Sequence, residues 1–94
     1  MRWHVYILLC SDDTLYTGIT TDIQRRFEQH ASGRGAKYFR GRTPITVVYQ
    51  EGGHTRSSAG SREVEIKRLS RAGKRMLIES SLETAVAPQR TPLR

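Results

Sequence analysis

The chain begins with an almost unbroken apolar run from Trp3 to Cys10, followed at once by the polar cluster Ser11-Asp12-Asp13-Thr14. That order predicts a largely buried strand and a turn. Leu15 to Thr20 reads as the returning strand of a hairpin. Thr21 or Asp22 can cap a helix that runs to about His30 or Ala31, with Gly33 as its stop. At about 100° per residue, Ile23 and Phe27 define the inner face of this helix and His30 projects beside them on the same face. Arg26 falls about 60° to one side and Arg25 points roughly the opposite way.

Ser32 to Arg42 is a basic, glycine-rich connection, and Pro44 leads into a third strand, Ile45 to Tyr49, closed by Gly52-Gly53. Thr55 to about Ser70 has a helical pattern with Ala59, Ile66 and Leu69 as its apolar stripe. Gly73 is expected to break it, and Lys74 to about Ser81 to form a last short helix. Residues 83–94 hold two prolines and no periodicity, and read as a loose tail. The expected organisation is therefore one domain over residues 1–82 and a tail over 83–94, with no internal repeat.

Charge changes this picture from a fold to a partner. The net charge is +7 and the isoelectric point about 10.3. Folding does not need such an excess, and it points to a polyanion, with nucleic acid first and an acidic protein or anionic surface behind it. Arg34, Lys37, Arg40 and Arg42 surround the glycine-rich connection, where cations and backbone N–H groups can meet phosphates. Lys67 lies in a second basic zone with Arg62, Arg68, Arg71, Lys74 and Arg75. Both zones can equally be solvated surface. Cys10 is the single cysteine, which excludes a disulfide framework and a cysteine zinc site. The apolar run is too short to span a membrane or to serve as a secretory signal, so a cytoplasmic protein with no membrane partner is expected.

The candidate chemistry rests on two tyrosine triplets, Val5-Tyr6-Ile7 and Tyr16-Thr17-Gly18, followed by Arg26 and His30. Taken singly these residues have plain readings. Two hairpin tyrosines are usually core aromatics. Arg26 and His30 form an ordinary i, i+4 pair near a helix end, and Glu63 can pair with Lys67 in the same way. Serving one site demands geometry. Tyr6 and Tyr16 share a sheet face only if cross-strand partners sum to an even number, as with Cys10 opposite Tyr16. That requires an odd loop or a bulge around Asp12-Asp13-Thr14. Of the acids on the later helix, Glu63 lies nearer the Ala59–Ile66 stripe than Glu65 does. His4 and His54 have no evident metal partners and receive no role.

Together, the two triplets, the arginine helix and the later glutamate resemble the GIY-YIG nuclease superfamily. Gly33-Arg34-Gly35-Ala36-Lys37 and Arg62-Glu63-Val64-Glu65-Ile66-Lys67 resemble its small stand-alone bacterial branch. The resemblance covers roughly residues 3–78. It implies an α+β fold, a compact three-stranded antiparallel sheet flanked by helices, and metal-dependent hydrolysis of a phosphodiester. Tyr6 and Tyr16 then line the site, Arg26 faces the scissile phosphate, His30 supports a tyrosine hydroxyl and Glu63 holds Mg²⁺ or Mn²⁺. With one carboxylate, the ion is expected to bind weakly without substrate. A phenol with pKa near 10 becomes a base only if its phenolate is stabilised, and an arginine, a metal or a hydrogen-bonded histidine can do that.

The first triplet here reads Val-Tyr-Ile and the second Tyr-Thr-Gly, which keeps the tyrosines and the glycine. The expected function is a structure-selective endonuclease acting on DNA in preference to RNA, in repair or nucleic-acid turnover, with a protein partner supplying specificity. The alternatives are a DNA- or RNA-binding module with a vestigial site and a basic adaptor for an acidic protein.

Overall fold

The computed structural model describes residues 2–90, with side chains through Leu82. Three strands, β1 (Trp3–Cys10), β2 (Leu15–Thr20) and β3 (Pro44–His54), form one antiparallel sheet in the order β2-β1-β3. Helix α1 (Ile23–Ala31) and a 3₁₀ turn over Lys37–Phe39 follow β2, and α2 (Arg56–Lys67) and α3 (Arg71–Arg90) follow β3. The α+β class and the three-stranded sheet are as expected. β1 is central, which is why its apolar run hardly alternates: Val5, Tyr6, Ile7, Leu8 and Cys10 are all buried.

The two faces of the sheet carry different cores. Val5 and Ile7 pack with Ala59 and Ile66 of α2, flanked by Leu77 and Ile78 of α3. Tyr6, Leu8 and Cys10 pack with Phe39, flanked by Tyr16 and by Ile23 and Phe27 of α1. Thus α1 covers the tyrosine face, and α2 and α3 cover the other.

The hairpin has the required parity. Tyr6 lies opposite Gly18 and Leu8 opposite Tyr16, so both tyrosines point to one face. Cys10 accepts from Asp13 N–H (2.8 Å) and donates to Thr14 carbonyl (2.9 Å), which leaves Ser11-Asp12-Asp13 as a three-residue loop. Such loops need one residue in the left-handed region, and Asp13 takes it at φ 67. Cys10 therefore faces Thr14 rather than Tyr16, which lies opposite Leu8.

Helix α1 is capped by Asp22, whose carboxylate accepts from Arg25 N–H at 3.0 Å. Gly33 closes it at φ 83, with Arg34 N–H returning to the Gln29 carbonyl.

Three boundaries differ from expectation. β3 does not stop at Gly52-Gly53 but pairs on to His54 opposite Trp3. Gly53, at φ 75, absorbs a register shift there, as glycines in strand bulges do. Leu69 lies past the end of α2 and is exposed. Gly73 breaks nothing, because Ser70 starts α3: its hydroxyl accepts from Gly73 N–H (3.1 Å) and its carbonyl from Lys74 N–H (3.0 Å). α3 extends to Arg90, into the segment read as tail, and residues 91–94 lie outside the described residues.

Candidate active site

The tyrosine face gathers the predicted side chains from β1, β2 and α1. The Tyr6 hydroxyl lies 3.0 Å from His30 Nε2, and both residues are almost fully buried. The Tyr6 and Tyr16 rings are 6.3 Å apart, and Tyr16 meets the His30 ring edge-on at 5.3 Å. Gly18 makes room for this. A Cβ at that position would come within 2.7 Å of Tyr6 Cζ, so the glycine of the second triplet is the space the first tyrosine occupies.

The histidine's proton can be placed from its partners. Ala36 N–H donates to His30 Nδ1 at 3.2 Å. An accepting Nδ1 carries no hydrogen, so the neutral ring holds its proton on Nε2 and donates it to the Tyr6 oxygen. Burial, and then the Arg26 charge, lower the His30 pKa to about 4, which keeps that neutral form at physiological pH. Gly35 lets the chain pass close enough, since any Cβ there would overlap His30 Nδ1. Gly35 and the Ala36 N–H were missed as site elements at the sequence level. Their signal was present in the glycine-rich connection but read as a phosphate-binding loop. Part of that connection is core: Phe39 is buried, 4.3 Å from the His30 ring centre, and Tyr38 packs on Tyr16 at 5.0 Å.

Arg26 supplies the positive charge. It is half-buried whereas Arg25 is exposed, as the helix phase predicted. Its Nη1 donates to Gln29 Oε1 at 2.9 Å, and its positive charge also acts on Tyr6. Burial raises the Tyr6 pKa most; the Tyr16 phenol adds to the rise and Arg26 opposes it. Burial likewise raises Tyr16, with Lys67 and Arg26 opposing. Glu63 pushes both tyrosines up, so its carboxylate is within electrostatic reach of each.

Glu63 comes from α2, and its side chain is 22% exposed while that of Glu65 is 68% exposed. Its Oε2 lies 3.1 Å from Lys67 Nζ. Glu65 turns away to Arg62 at 3.2 Å. Among the described residues no three His, Cys, Asp or Glu side chains gather as a ligand set. One hard carboxylate suits Mg²⁺ or Mn²⁺ that keeps its waters and shares a substrate phosphate.

The structure thus brings Tyr6, Tyr16, Arg26 and His30 together, with Glu63 and Lys67 at their edge. Arg34, Lys37 and Arg40 are exposed around the connection. Arg42 is engaged: its Nε lies 2.7 Å from Asp12 Oδ2, its Nη1 donates to the Tyr38 carbonyl at 3.0 Å, and its guanidinium sits over the Tyr38 ring at 4.0 Å. It ties the hairpin loop to the segment that buttresses Tyr16.

Residues 2–76 match the GIY-YIG catalytic domain. The chain belongs to the GIY-YIG family. Many relatives carry only a family label. The UPF0213 protein of Natronomonas pharaonis is 53% identical over 75 residues, which cover 80% of this chain and 88% of that protein. The UPF0213 protein of Cronobacter sakazakii is 41% identical over 93 residues, covering 97% and 98%. The solution structure of the UPF0213 protein BH0048 from Bacillus halodurans is similar at 47% identity with a TM-score of 0.54, over 84% of each chain. The solution structure of EF2693 from E. faecalis is similar at 39% identity with a TM-score of 0.57, over 82% of each. GIY-YIG membership implies a nuclease family and nucleic acid as partner. Among the described residues no helix is long and apolar enough to cross a membrane.

Proposed function

We propose that this GIY-YIG chain is a metal-dependent, structure-selective endonuclease that hydrolyses DNA phosphodiester bonds in the cytoplasm, in repair or nucleic-acid turnover. The observation that carries this reading is the Tyr6 oxygen. It accepts from His30 Nε2–H and is acted on by Arg26, while its own proton has no protein acceptor among the described residues. Both neighbours favour the phenolate. With that proton released to solvent, the phenolate takes a proton from the attacking water, and Tyr6 is the base in this scheme.

Tyr16 positions the attacking water or the phosphate beside Tyr6. Arg26 pairs phosphate oxygens and stabilises charge that develops on them. His30 holds the phenol and does not titrate near neutrality. Glu63 would hold the divalent ion, which would replace a charge that raises both phenol pKa values with one that lowers them. Arg34, Lys37, Arg40 and Lys67 contact flanking phosphates, and Arg42 adds to them once its partners yield.

The test is nicking of flap, branched and single-stranded DNA with Mg²⁺ or Mn²⁺. Parent protein should cut at least one of these, and Arg26→Ala and Glu63→Ala should cut far more slowly while still folding. Equal cutting by parent and variants exposes a contaminant and removes the enzyme reading. Salt-sensitive binding without any cutting leaves a binding module with a vestigial site.

A further inference from the structure

Arg26 also lines an open cleft of about 330 Å³ at the edge of the sheet, with Trp3, Thr20, Arg25 and Arg56 among its walls. Among the described residues no carboxylate lines this cleft. The nearby Asp22 carboxylate is turned onto the α1 N-terminus. Arg25 and Arg56 are exposed and hold no ion pair among the described residues, whereas Arg42, Arg62, Lys67 and Arg71 each hold at least one. Three guanidiniums around one cleft repel each other, and a polyanion relieves that repulsion.

The cleft also has an aromatic wall. Trp3 is half-buried against the α2 core, and the Arg56 guanidinium stands 5.6 Å from its ring centre. Indole and guanidinium planes are the surfaces on which unpaired bases stack. The volume is that of a pocket for a small ligand, not of a groove for a duplex.

We propose that this cleft binds one unpaired nucleotide next to the scissile phosphate, its phosphate between Arg25 and Arg56 and its base against Trp3. The proposal rests on the phosphodiester reading of the neighbouring site, which Arg26 joins to the cleft. It gives structure selectivity a physical source: a paired nucleotide cannot offer its face to Trp3.

Trp3 is the chain's single tryptophan, so its fluorescence reports the cleft directly. Binding is measured in chelator, where nothing is cut, with a single-stranded DNA, an all-abasic strand of equal length and a blunt duplex. The single strand should quench Trp3, and the abasic strand and the duplex should not. The Arg25→Ala/Arg56→Ala double variant should melt like the parent and bind the single strand roughly tenfold more weakly. Its slope of log affinity against log salt should fall by about 0.7, the value for one phosphate on a single strand. The Arg25→Lys/Arg56→Lys variant should keep the slope.

Unquenched Trp3, or a double variant with parental affinity and slope, overturns the proposal. Cleavage is scored separately. A parent that cuts DNA but shows neither change keeps the nuclease and loses the cleft. A parent that binds through the cleft and never cuts keeps the cleft and loses the nuclease. Absence of any oligonucleotide binding ends both.

Discussion

Two clusters in this molecule are built from the same residue types, and they differ in what is left over. One joins Tyr49, Glu51, His54 and Arg62. Glu51 accepts from the Tyr49 hydroxyl, from His54 Nε2 (2.8 Å) and from Arg62 Nε (3.0 Å). His54 Nδ1 meets Ser58 Oγ at 2.8 Å, and Arg62 Nη1 reaches Glu65 at 3.2 Å. Donors and acceptors are consumed, and the result staples β3 to α2. The other cluster holds Tyr6, His30, Arg26 and Glu63. Here Glu63 pairs with Lys67, and among the described residues the phenol proton has no acceptor and Arg26, whose charge acts on both phenols, holds no ion pair. A tyrosine, histidine, arginine and glutamate thus make a staple when their valences close on one another, and a candidate site when they do not.

The sharpest way to break this comparison is to delete one arginine from each cluster. Arg26→Ala should lower turnover on flap DNA by about 10²–10³-fold, as loss of a transition-state donor does, with little change in melting temperature. Arg62→Ala should leave turnover within about twofold but cost about 1–3 kcal/mol of stability, because the partly buried Glu51 loses a charged partner. The reverse outcome would exchange the roles assigned to the clusters.

Glycine substitutions probe the same contrast through packing. Gly18→Ala places a methyl group against Cζ of the buried Tyr6 ring, and should cost about 1–3 kcal/mol in denaturant unfolding and disturb cleavage. Gly52→Ala, beside the staple, would meet the His4 ring at 3.1 Å and lies on the exposed end of β3. That ring can swing aside, so the cost should stay under about 1 kcal/mol and cleavage should be unaffected. Equal costs would show that the Tyr6 pocket is no tighter than the surface.

Acid should dissolve the clusters in sequence. His30 titrates near 4 when folded against an ordinary 6.5. Between those values the unfolded chain binds a proton that the folded chain refuses, so stability falls as pH drops from about 6.5 to about 4, by up to about 3 kcal/mol. Glu51 behaves differently. Burial acts to raise it, but hydrogen bonds from Tyr49, His54 and Arg62 prevail and lower its pKa. Its contribution is present above the ordinary carboxylate range and is lost only at more acid pH, as pH falls through the folded value. Denaturant midpoints measured from pH 7 to pH 3 should show the earlier loss in the parent. That loss should vanish in His30→Gln, which can still donate to Tyr6.

How far the sequence reaches toward these clusters follows from the range of the forces involved. The apolar run of β1, the phase of α1 that half-buries Arg26 and exposes Arg25, and the more inward placement of Glu63 than of Glu65 all come from local periodicity, and the structure agrees with each. The hairpin parity could be stated as a requirement, but the left-handed Asp13 that satisfies it was not readable among four polar turn residues. The Ala36–His30 hydrogen bond and the need for Gly35 join positions that face each other only after the chain has turned. Glycines misled twice. Gly52-Gly53 read as a stop but accommodate a bulge, and Gly73 read as a breaker but lies within α3 after the Ser70 cap. The staple draws on β3 and α2 together, and no local pattern marks it. For the same reason His54 received no role.

The smallest expected effect concerns the bond that keeps the open cluster partly closed. Lys67 Nζ lies 3.1 Å from Glu63 Oε2, and the lysine side chain is half exposed. An i, i+4 pair of this kind is worth about 0.3–0.5 kcal/mol, so Lys67→Met should barely move the melting temperature. A cation approaching Glu63 must displace that ammonium. Removing it should tighten Mn²⁺ binding to the free protein by about twofold, the equilibrium equivalent of the same energy. Titration of Mn²⁺ by electron paramagnetic resonance reads this without any turnover. Glu65→Gln should leave the Mn²⁺ titration unchanged, because Glu65 is spent on Arg62 and faces away from the phenols. If Lys67→Met leaves Mn²⁺ affinity unchanged and Glu65→Gln lowers it, the metal-facing carboxylate is Glu65, and the line between staple and site passes through α2 on the other side of Glu63.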